Sequence, residues 1–128
     1  MATDAAPAPL ILVADDESHI LNVVSLKLRK SGFSVITAAD GRAALELARE
    51  RKPALVVTDF HMPHLSGVEF CRALCDGGQP TPALLLTARD SDIDADEQAA
   101  AGIVEVINKP FSPRDLAGAV ARHLPEAA

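Results

Sequence analysis

Short apolar runs alternate with amphipathic stretches along most of this chain. The apolar runs are Leu10–Ala14, Ser34–Ala38, Ala54–Thr58, Ala83–Thr87 and Val104–Ile107. Most are apolar almost throughout, which is typical of strands that are covered on both faces. Polar residues interrupt the second and the fifth run, at Thr37 and Glu105. These two strands are therefore predicted to lie at the edges of the sheet.

The stretches between the apolar runs have the spacing of amphipathic helices, and capping and turn signals predict their limits. Pro113 is expected at the first position of the last helix, where its missing N–H costs nothing. The predicted limits are Ser18 as cap and Gly32 as stop for the first helix, Asp40 as cap for the second, Leu65–Asp76 for the third, Asp90–Ala101 for the fourth and Ser112 as cap for the fifth.

Strict alternation of five strands and five helices predicts an α/β fold. Such a fold is a doubly wound parallel sheet with helices on both faces and right-handed crossovers. A length of 128 residues fits one domain. We expect residues 10–124 to form it, with a disordered Ala- and Pro-rich tail over 1–9 and a short tail over 125–128. In such sheets ligands bind at the carboxyl ends of the strands.

Four of the five predicted strands end in side chains suited to chemistry. Asp15 and Asp16 follow the first, Asp59 the third, Thr87 ends the fourth and Lys109 follows the fifth. Parallel strands place these ends at one edge, where converging carboxylates repel one another and favour a bound cation. Oxygen ligands suit Mg²⁺. We expect Asp16 and Asp59 to bind it directly, and Asp15 directly or through water.

Taken singly, each of these residues has an ordinary structural interpretation that stays open. Asp15 or Asp16 could cap the first helix, and Asp59 could be a loop acid. Thr87 could bond the backbone, and Lys109 could be a solvated charge. Together they suit phosphoryl transfer to a carboxylate nucleophile, because the Lys and the hydroxyl can neutralise and bind the phosphoryl oxygens.

Composition excludes several other classes of function. The net charge of −6 offers no basic field for nucleic acid, and the absence of Trp and Tyr leaves few platforms for stacking bases. No apolar run is long enough for a membrane span, and the first residues do not resemble a signal peptide, so a cytoplasmic location is expected. Cys71 and Cys75 are interpreted as free thiols in a helix.

The ordered motifs resemble the receiver domain of bacterial response regulators, including the chemotaxis-type single-domain regulators. The resemblance covers the chain from Leu10 to about Leu124. The matching motifs are Asp15-Asp16 after LILVA, VVTDFHMPHLSG at 56–67, LLLTA at 84–88, Ala101-Gly102 and Lys109-Pro110-Phe111.

The resemblance implies a flavodoxin-like sheet of strand order 2-1-3-4-5 and a signalling domain rather than an enzyme. By it Asp59 is the phosphoacceptor, and the backbone carbonyl of His61 joins Asp15, Asp16 and Asp59 around Mg²⁺. Thr87 and Lys109 contact the phosphoryl group. Met62, Pro63 and Gly67 shape the loop after the third strand, and the bond before Pro110 is cis.

The resemblance also implies the partners. The phosphodonor is a phosphohistidine on a histidine kinase or phosphotransfer protein, and small acyl phosphates can also serve. A downstream protein is expected to bind the surface formed by helices 90–101 and 112–124, which phosphorylation switches between two states. The protein is expected to act as a monomer or as a dimer formed on phosphorylation, without binding nucleic acid or membrane.

Two features modify this picture. The family has Tyr or Phe three residues before the Lys, where this chain has Val106, so the usual aromatic switch is in doubt and Val106 could simply pack. His61 and Arg89, each two residues after a site residue, are expected to alter the rate of dephosphorylation. His61 and His64 are too few to make a zinc site, and His19 and His123 are interpreted as surface residues.

Three rival functions fit the sequence less well. A binding module that is never phosphorylated would not need both Asp59 and Lys109. A phosphohydrolase of the haloacid-dehalogenase type needs an acid two residues after its nucleophile, where this chain has His61. A flavin carrier needs a phosphate loop after the first strand, where Asp15-Asp16 and Glu17 would repel phosphate. Whether the chain is a stand-alone regulator or part of a longer protein stays open.

Overall fold

A computed structural model of the chain describes residues 8–88 and 93–124. Five parallel strands form one sheet in the order β2-β1-β3-β4-β5, so the predicted doubly wound α/β fold is confirmed. The strands are β1 Leu10–Ala14, β2 Ser34–Ala38, β3 Leu55–Asp59, β4 Ala83–Thr87 and β5 Ile103–Asn108. The helices are α1 Ser18–Lys30, α2 Gly41–Arg51, α3 Gly67–Asp76, α4 Ala95–Ala100 and α5 Pro113–His123.

Burial along the strands follows their position in the sheet. β3 and β4 are buried at every residue because helices cover both faces of the central strands. β2 and β5 lie at the two edges, as their polar breaks predict, and Thr37 and Val104 are exposed there. Side chains of the sheet therefore pack into two apolar layers, one on each face.

The two layers have different helices. On one face α1 and α5 pack against the sheet through Val24, Leu28, Leu116 and Val120. On the other face α2 and α3 pack through small and aliphatic residues around Phe70, which is fully buried. Phe70 was absent from the predicted inward face of the third helix. It is the largest side chain among the fully buried described residues, so this layer is organised around a ring the periodicity did not single out.

Side-chain caps begin three of the helices. Asp40 accepts from Ala43 N, and Ser112 accepts from Asp115 N, as predicted. At α3 a reciprocal pair of hydrogen bonds joins Ser66 and Glu69. The helix therefore begins at Gly67 rather than at Leu65, and the Ser-x-x-Glu spacing is the signal that fixes this limit.

Other predicted limits also need correction. Ser18 is the first residue of α1 rather than its cap, because Glu17 holds the capping position without a side-chain cap bond. β3 is shifted by one residue and includes Asp59, since Phe60 N still donates to Leu86 O on β4. α4 begins at Ala95, with Ile93 and Asp94 outside the helix. The earlier part of that prediction, 90–92, lies outside the described residues.

Both cysteines are free, as expected. Cys71 is buried, and burial raises the pKa of its thiol to about 12, so it stays protonated at neutral pH. The predicted tails lie mostly outside the described residues, although Pro9 O accepts a hydrogen bond from Ser34 N on β2. Within 8–88 and 93–124, none of the helices has the length and apolar character needed to cross a bilayer.

Candidate functional site

Four charged side chains from widely separated parts of the chain meet at the carboxyl edge of the sheet. Lys109 Nζ lies 2.9 Å from Asp59 Oδ1, 3.4 Å from Glu17 Oε1 and 3.6 Å from Asp15 Oδ2. Asp15 is fully buried and Asp59 is nearly so. The convergence that the strand ends predict is therefore observed for these acids and for the amine.

Backbone hydrogen bonds at the ends of the strands hold these side chains in place. Lys109 N donates to Thr87 O at 2.8 Å, which fixes the end of β5 to the end of β4. Asp15 N donates to Ala38 O at 3.1 Å, so the backbone of Asp15 is fixed at the point where β1 ends beside β2. The Lys109–Pro110 bond is cis, as the resemblance implies. The ammonium thus reaches Asp59 from a fixed backbone.

Asp15, Asp16 and Asp59 form the one group of three or more potential metal ligands within the described ranges. One oxygen from each carboxylate lies within 4.8 Å of the others. At the ~2.1 Å bond length of Mg²⁺, adjacent ligands of an octahedron are about 3 Å apart and opposite ones about 4.2 Å, so the three oxygens would have to draw closer together around the ion. Asp15 Oδ2 is buried and accepts no hydrogen bond. An oxygen-only cluster in which one buried oxygen accepts no hydrogen bond fits a hard divalent cation.

Burial and repulsion between carboxylates disfavour the ionised form of Asp15, and such a cation would relieve both effects. Burial raises the pKa of the Asp15 carboxyl and the charge of Asp59 raises it further, against the opposing effects of the hydrogen bond from Glu17 N and the charge of Lys109. Burial alone would lower the pKa of Lys109, but the hydrogen bond and charge of Asp59, with Asp15 and Glu17, raise it overall. The lysine therefore stays charged, while the ionised form of Asp15 is disfavoured.

Thr87 lies beside the site without bonding the acids. Its hydroxyl is almost fully buried and donates to Ala88 O at 3.2 Å. This is the ordinary strand-end bond that the sequence left open. The role of Thr87 toward a phosphoryl group stays a prediction.

Two glycines bring the loop after β3 close to its neighbours. A Cβ at Gly67 would clash with the backbone carbonyl of Asp59, and a Cβ at Gly41 would clash with that of Leu65. Gly41 N also donates to Pro63 O at 3.2 Å. The first turns of α2 and α3 therefore press directly on the loop that follows Asp59. Gly67 was expected to shape this loop, whereas Gly41 was not singled out.

The remaining predicted residues have varied environments. The His61 ring is exposed and stacks on Phe60, with centroids 4.8 Å apart. His64 is exposed, with a positive φ of 73°. Val106 is half-buried and packs against the layer that contains Phe70, which agrees with a simple packing role. Arg89 lies outside the described residues. Rate effects of His61 and Arg89, and the metal contact of the His61 carbonyl, stay predictions.

Glu17 is the site residue that sequence reasoning missed. It was noted only as an acid after the Asp15-Asp16 pair and received no role. The available signal was its position, since a residue three places past a strand end can still face the same edge. Its carboxylate shares Lys109 with Asp59 and Asp15.

A parallel sheet of this strand order, with an acid cluster and a lysine at its carboxyl edge, defines a receiver-type signalling domain. A family model for the response regulator receiver domain matches residues 11–121. The chain belongs to this family, so it is the receiver domain of a two-component signalling system. Domains of this family act in signalling rather than as enzymes of metabolism.

Sequence and structural relatives agree with this membership. The chain is 42% identical over 106 residues to the alkaline phosphatase synthesis transcriptional regulatory protein PhoP of Bacillus subtilis, covering 83% of this chain and 44% of that protein. It is 39% identical over 121 residues to the corresponding protein SphR of Synechococcus elongatus, covering 88% and 47%. The chain spans about half the length of these curated relatives.

A solved structure shows the same fold over nearly its full length. The chemotaxis protein CheY4 of Vibrio cholerae superposes with a TM-score of 0.83 at 35% identity, covering 91% of this chain and 99% of that one. The fold of this chain is therefore that of a whole receiver domain.

Proposed function

We propose that this chain is a phosphoacceptor, in which Asp59 takes a phosphoryl group from a phosphohistidine on a histidine kinase or phosphotransfer protein. One observation carries the proposal. Asp59 is nearly buried, yet its Oδ1 is bonded to the Lys109 ammonium at 2.9 Å. A carboxylate so placed keeps one oxygen fixed and leaves the other for attack.

The transfer step requires one bond to form and one to break. The free carboxylate oxygen of Asp59 attacks phosphorus, and the P–N bond of the phosphohistidine breaks. The electron pair leaves with the imidazole, which takes up a proton. Lys109 then moves from the carboxylate to a phosphoryl oxygen, where its charge offsets the developing negative charge.

Asp15, Asp16 and Asp59, with the His61 carbonyl, would hold Mg²⁺. When bound, this ion supplies charge neutralisation for the phosphoryl oxygens. Asp15 supports this assignment, because its buried Oδ2 has no hydrogen-bond donor in the described structure. Thr87 is assigned a third phosphoryl oxygen. Its hydroxyl must leave the Ala88 carbonyl, 3.2 Å away, to reach it.

The downstream signal is assigned to the surface that combines α4, β5 and α5. Release of the Thr87 hydroxyl from the Ala88 carbonyl would change the backbone conformation of the segment that leads into α4. Val104 on β5 is 43% exposed, one of the two large apolar residues exposed among the described ones, and it lies between α4 and α5 in the chain. A partner that covers Val104 would gain apolar contact. Downstream target and oligomeric state belong to this proposal.

The proposal is tested by intact mass after incubation with Mg²⁺ and acetyl phosphate. The wild type is expected to gain the mass of one phosphoryl group, and Asp59→Asn none, because an amide is not a nucleophile for this step. Asp76→Asn is the matched control, since Asp76 is an exposed acid at the end of α3 that pairs only with Arg72 among the described residues. It should label like the wild type. An unlabelled wild type, or labelled Asp59→Asn, would contradict the proposal.

A further inference from the structure

The Glu17 side chain contacts the lysine of the site instead of capping the helix that follows it. Glu17 occupies the capping position of α1, yet its side chain makes no capping hydrogen bond. The carboxylate instead reaches Lys109 Nζ at 3.4 Å, across 92 residues of sequence. Capping is worth about 1 kcal/mol to a helix, so the sequence forgoes that gain at a position next to the acid cluster.

The Glu17 contact differs from the other two contacts of Lys109. Asp59 and Asp15 are nearly or fully buried, whereas the Glu17 side chain is 61% exposed. Lys109 therefore stays anchored by Asp59 at 2.9 Å even without Glu17. Glu17 is not needed to hold the ammonium in place, and what it adds is a third negative charge that competes for the same ammonium.

The Glu17 carboxylate is also the most solvent-exposed of the three acids that contact Lys109. The Glu17 and Lys109 side chains line a cavity of about 490 Å³ that also reaches Ala88, next to Thr87. Asp15 and Asp59 do not line this cavity. A phosphoryl group that approaches Lys109 from solvent comes close to the Glu17 carboxylate, 3.4 Å from the ammonium. Negative charge beside that ammonium opposes the approach of an anion, by an amount that depends on the charge of the anion and on salt.

We infer that Glu17 is a positioning residue that restrains phosphorylation by small anionic donors, because it contacts the Lys109 ammonium and places an exposed negative charge beside it. The inference rests on the proposed function of Asp59. It assigns Glu17 no contact with the phosphoryl group. Its effect passes through Lys109, so it changes how strongly a free donor binds more than how fast a bound donor reacts.

The test compares wild type, Glu17→Gln and the control Glu46→Gln with two donors at neutral pH. Glu46 is exposed on α2 and makes no ion pair within the described ranges, so its variant changes the net charge equally. Acetyl phosphate carries close to two negative charges, and phosphoramidate close to one. The concentration that gives half the maximal rate is measured by intact mass, at low and high salt, together with Tm.

Glu17→Gln is expected to lower the half-saturating concentration of acetyl phosphate about two- to fivefold at low salt, the range for an exposed charge pair. The maximal rate should change less than about twofold. The shift should be smaller for phosphoramidate and should fade in high salt, while Glu46→Gln behaves as wild type. This pattern is not expected from a residue that merely begins α1.

Other results would overturn the inference. Unchanged half-saturation in Glu17→Gln, with normal labelling of the wild type, removes the inference and leaves the proposed function intact. An equal shift for both donors with a lower Tm identifies Glu17 as a structural residue. A wild type that never gains the phosphoryl mass removes the proposed function and this inference together.

Discussion

The same functional group behaves oppositely in two regions of this molecule. At the carboxyl edge of the sheet, burial among other acids raises the pKa of Asp15. On the β5–α5 surface, a hydrogen bond from His123, helped by Arg122, lowers the pKa of Glu105. Glu105 Oε1 lies 2.8 Å from His123 Nε2 and 3.0 Å from Arg122 NH2.

The opposite pKa shifts of Asp15 and Glu105 distinguish a candidate functional site from a structural contact. The acid of β5 is surrounded by donors and helps to fix the end of α5. The acid after β1 is buried and accepts no hydrogen bond at one oxygen, which lies 3.6 Å from Lys109 Nζ, so a divalent cation would stabilise it further. Perturbed acids in a cleft are frequent at functional sites for this reason. The comparison can be tested by neutralising one acid at a time.

The largest effect is expected at Asp15. Without divalent cations, Asp15→Asn should raise the free energy of unfolding by about 1–3 kcal/mol, because it removes a poorly satisfied buried charge. Added Mg²⁺ should stabilise the wild type and no longer stabilise the variant. Urea unfolding with chelator and with Mg²⁺ measures both effects. Asp16→Asn is the matched control, since Asp16 is exposed and should lose Mg²⁺ stabilisation with little change in chelator.

The stability difference between Asp15→Asn and wild type should depend on pH in the way that the raised pKa of Asp15 requires. A carboxyl whose native pKa is raised destabilises the fold fully above that pKa, and no longer does so below the ordinary value of 3.8. In chelator, the stability gain of Asp15→Asn over wild type should therefore be largest near neutral pH and shrink as the pH falls. A gain that grows on acidification would contradict the assigned burial of Asp15.

The smallest effect is expected at Glu105. Its lowered pKa means that its contribution is present above the ordinary value of 4.5 and lost as the pH falls through the native pKa. Glu105→Gln should lower the free energy of unfolding by at most about 1 kcal/mol, since exposed ion pairs are screened by solvent and salt. Urea unfolding at low and high salt measures this, with Glu46→Gln as control. A stabilised variant would remove the contrast with Asp15.

The fold could be predicted from sequence because its signals are local. Fully apolar runs identified the central strands, and the polar breaks at Thr37 and Glu105 identified the edges. The start of α3 was mispredicted although the local Ser66/Glu69 capping box fixes it, whereas two other limits were decided by nonlocal contacts. Asp59 belongs to β3 because Phe60 N still bonds β4. Ser18 is not the cap of α1 because Glu17, whose side chain contacts Lys109, occupies the capping position.

The site was predictable to a similar extent and for the same reason. Parallel strands bring Asp15, Asp59 and Lys109 to one edge whatever their side chains do, so their convergence follows from topology. Sequence does not determine which acceptor the Thr87 hydroxyl bonds, and in this structure it donates to Ala88 O. The close approach of Gly41 to Leu65 depends on the path of a loop, which periodicity does not encode.

The distance in sequence between Lys109 and its partners has a consequence for synthesis. Glu17 and Lys109 are 92 residues apart, and Asp15 and Asp16 precede both. A ribosome therefore adds all four acids of the site well before it adds Lys109, the cation that contacts three of them. Until β5 emerges and pairs with β4, the nascent chain carries these carboxylates without their lysine. We therefore expect the pairing of β5, the last strand to be synthesised, with β4 to be the step that completes the fold of the domain.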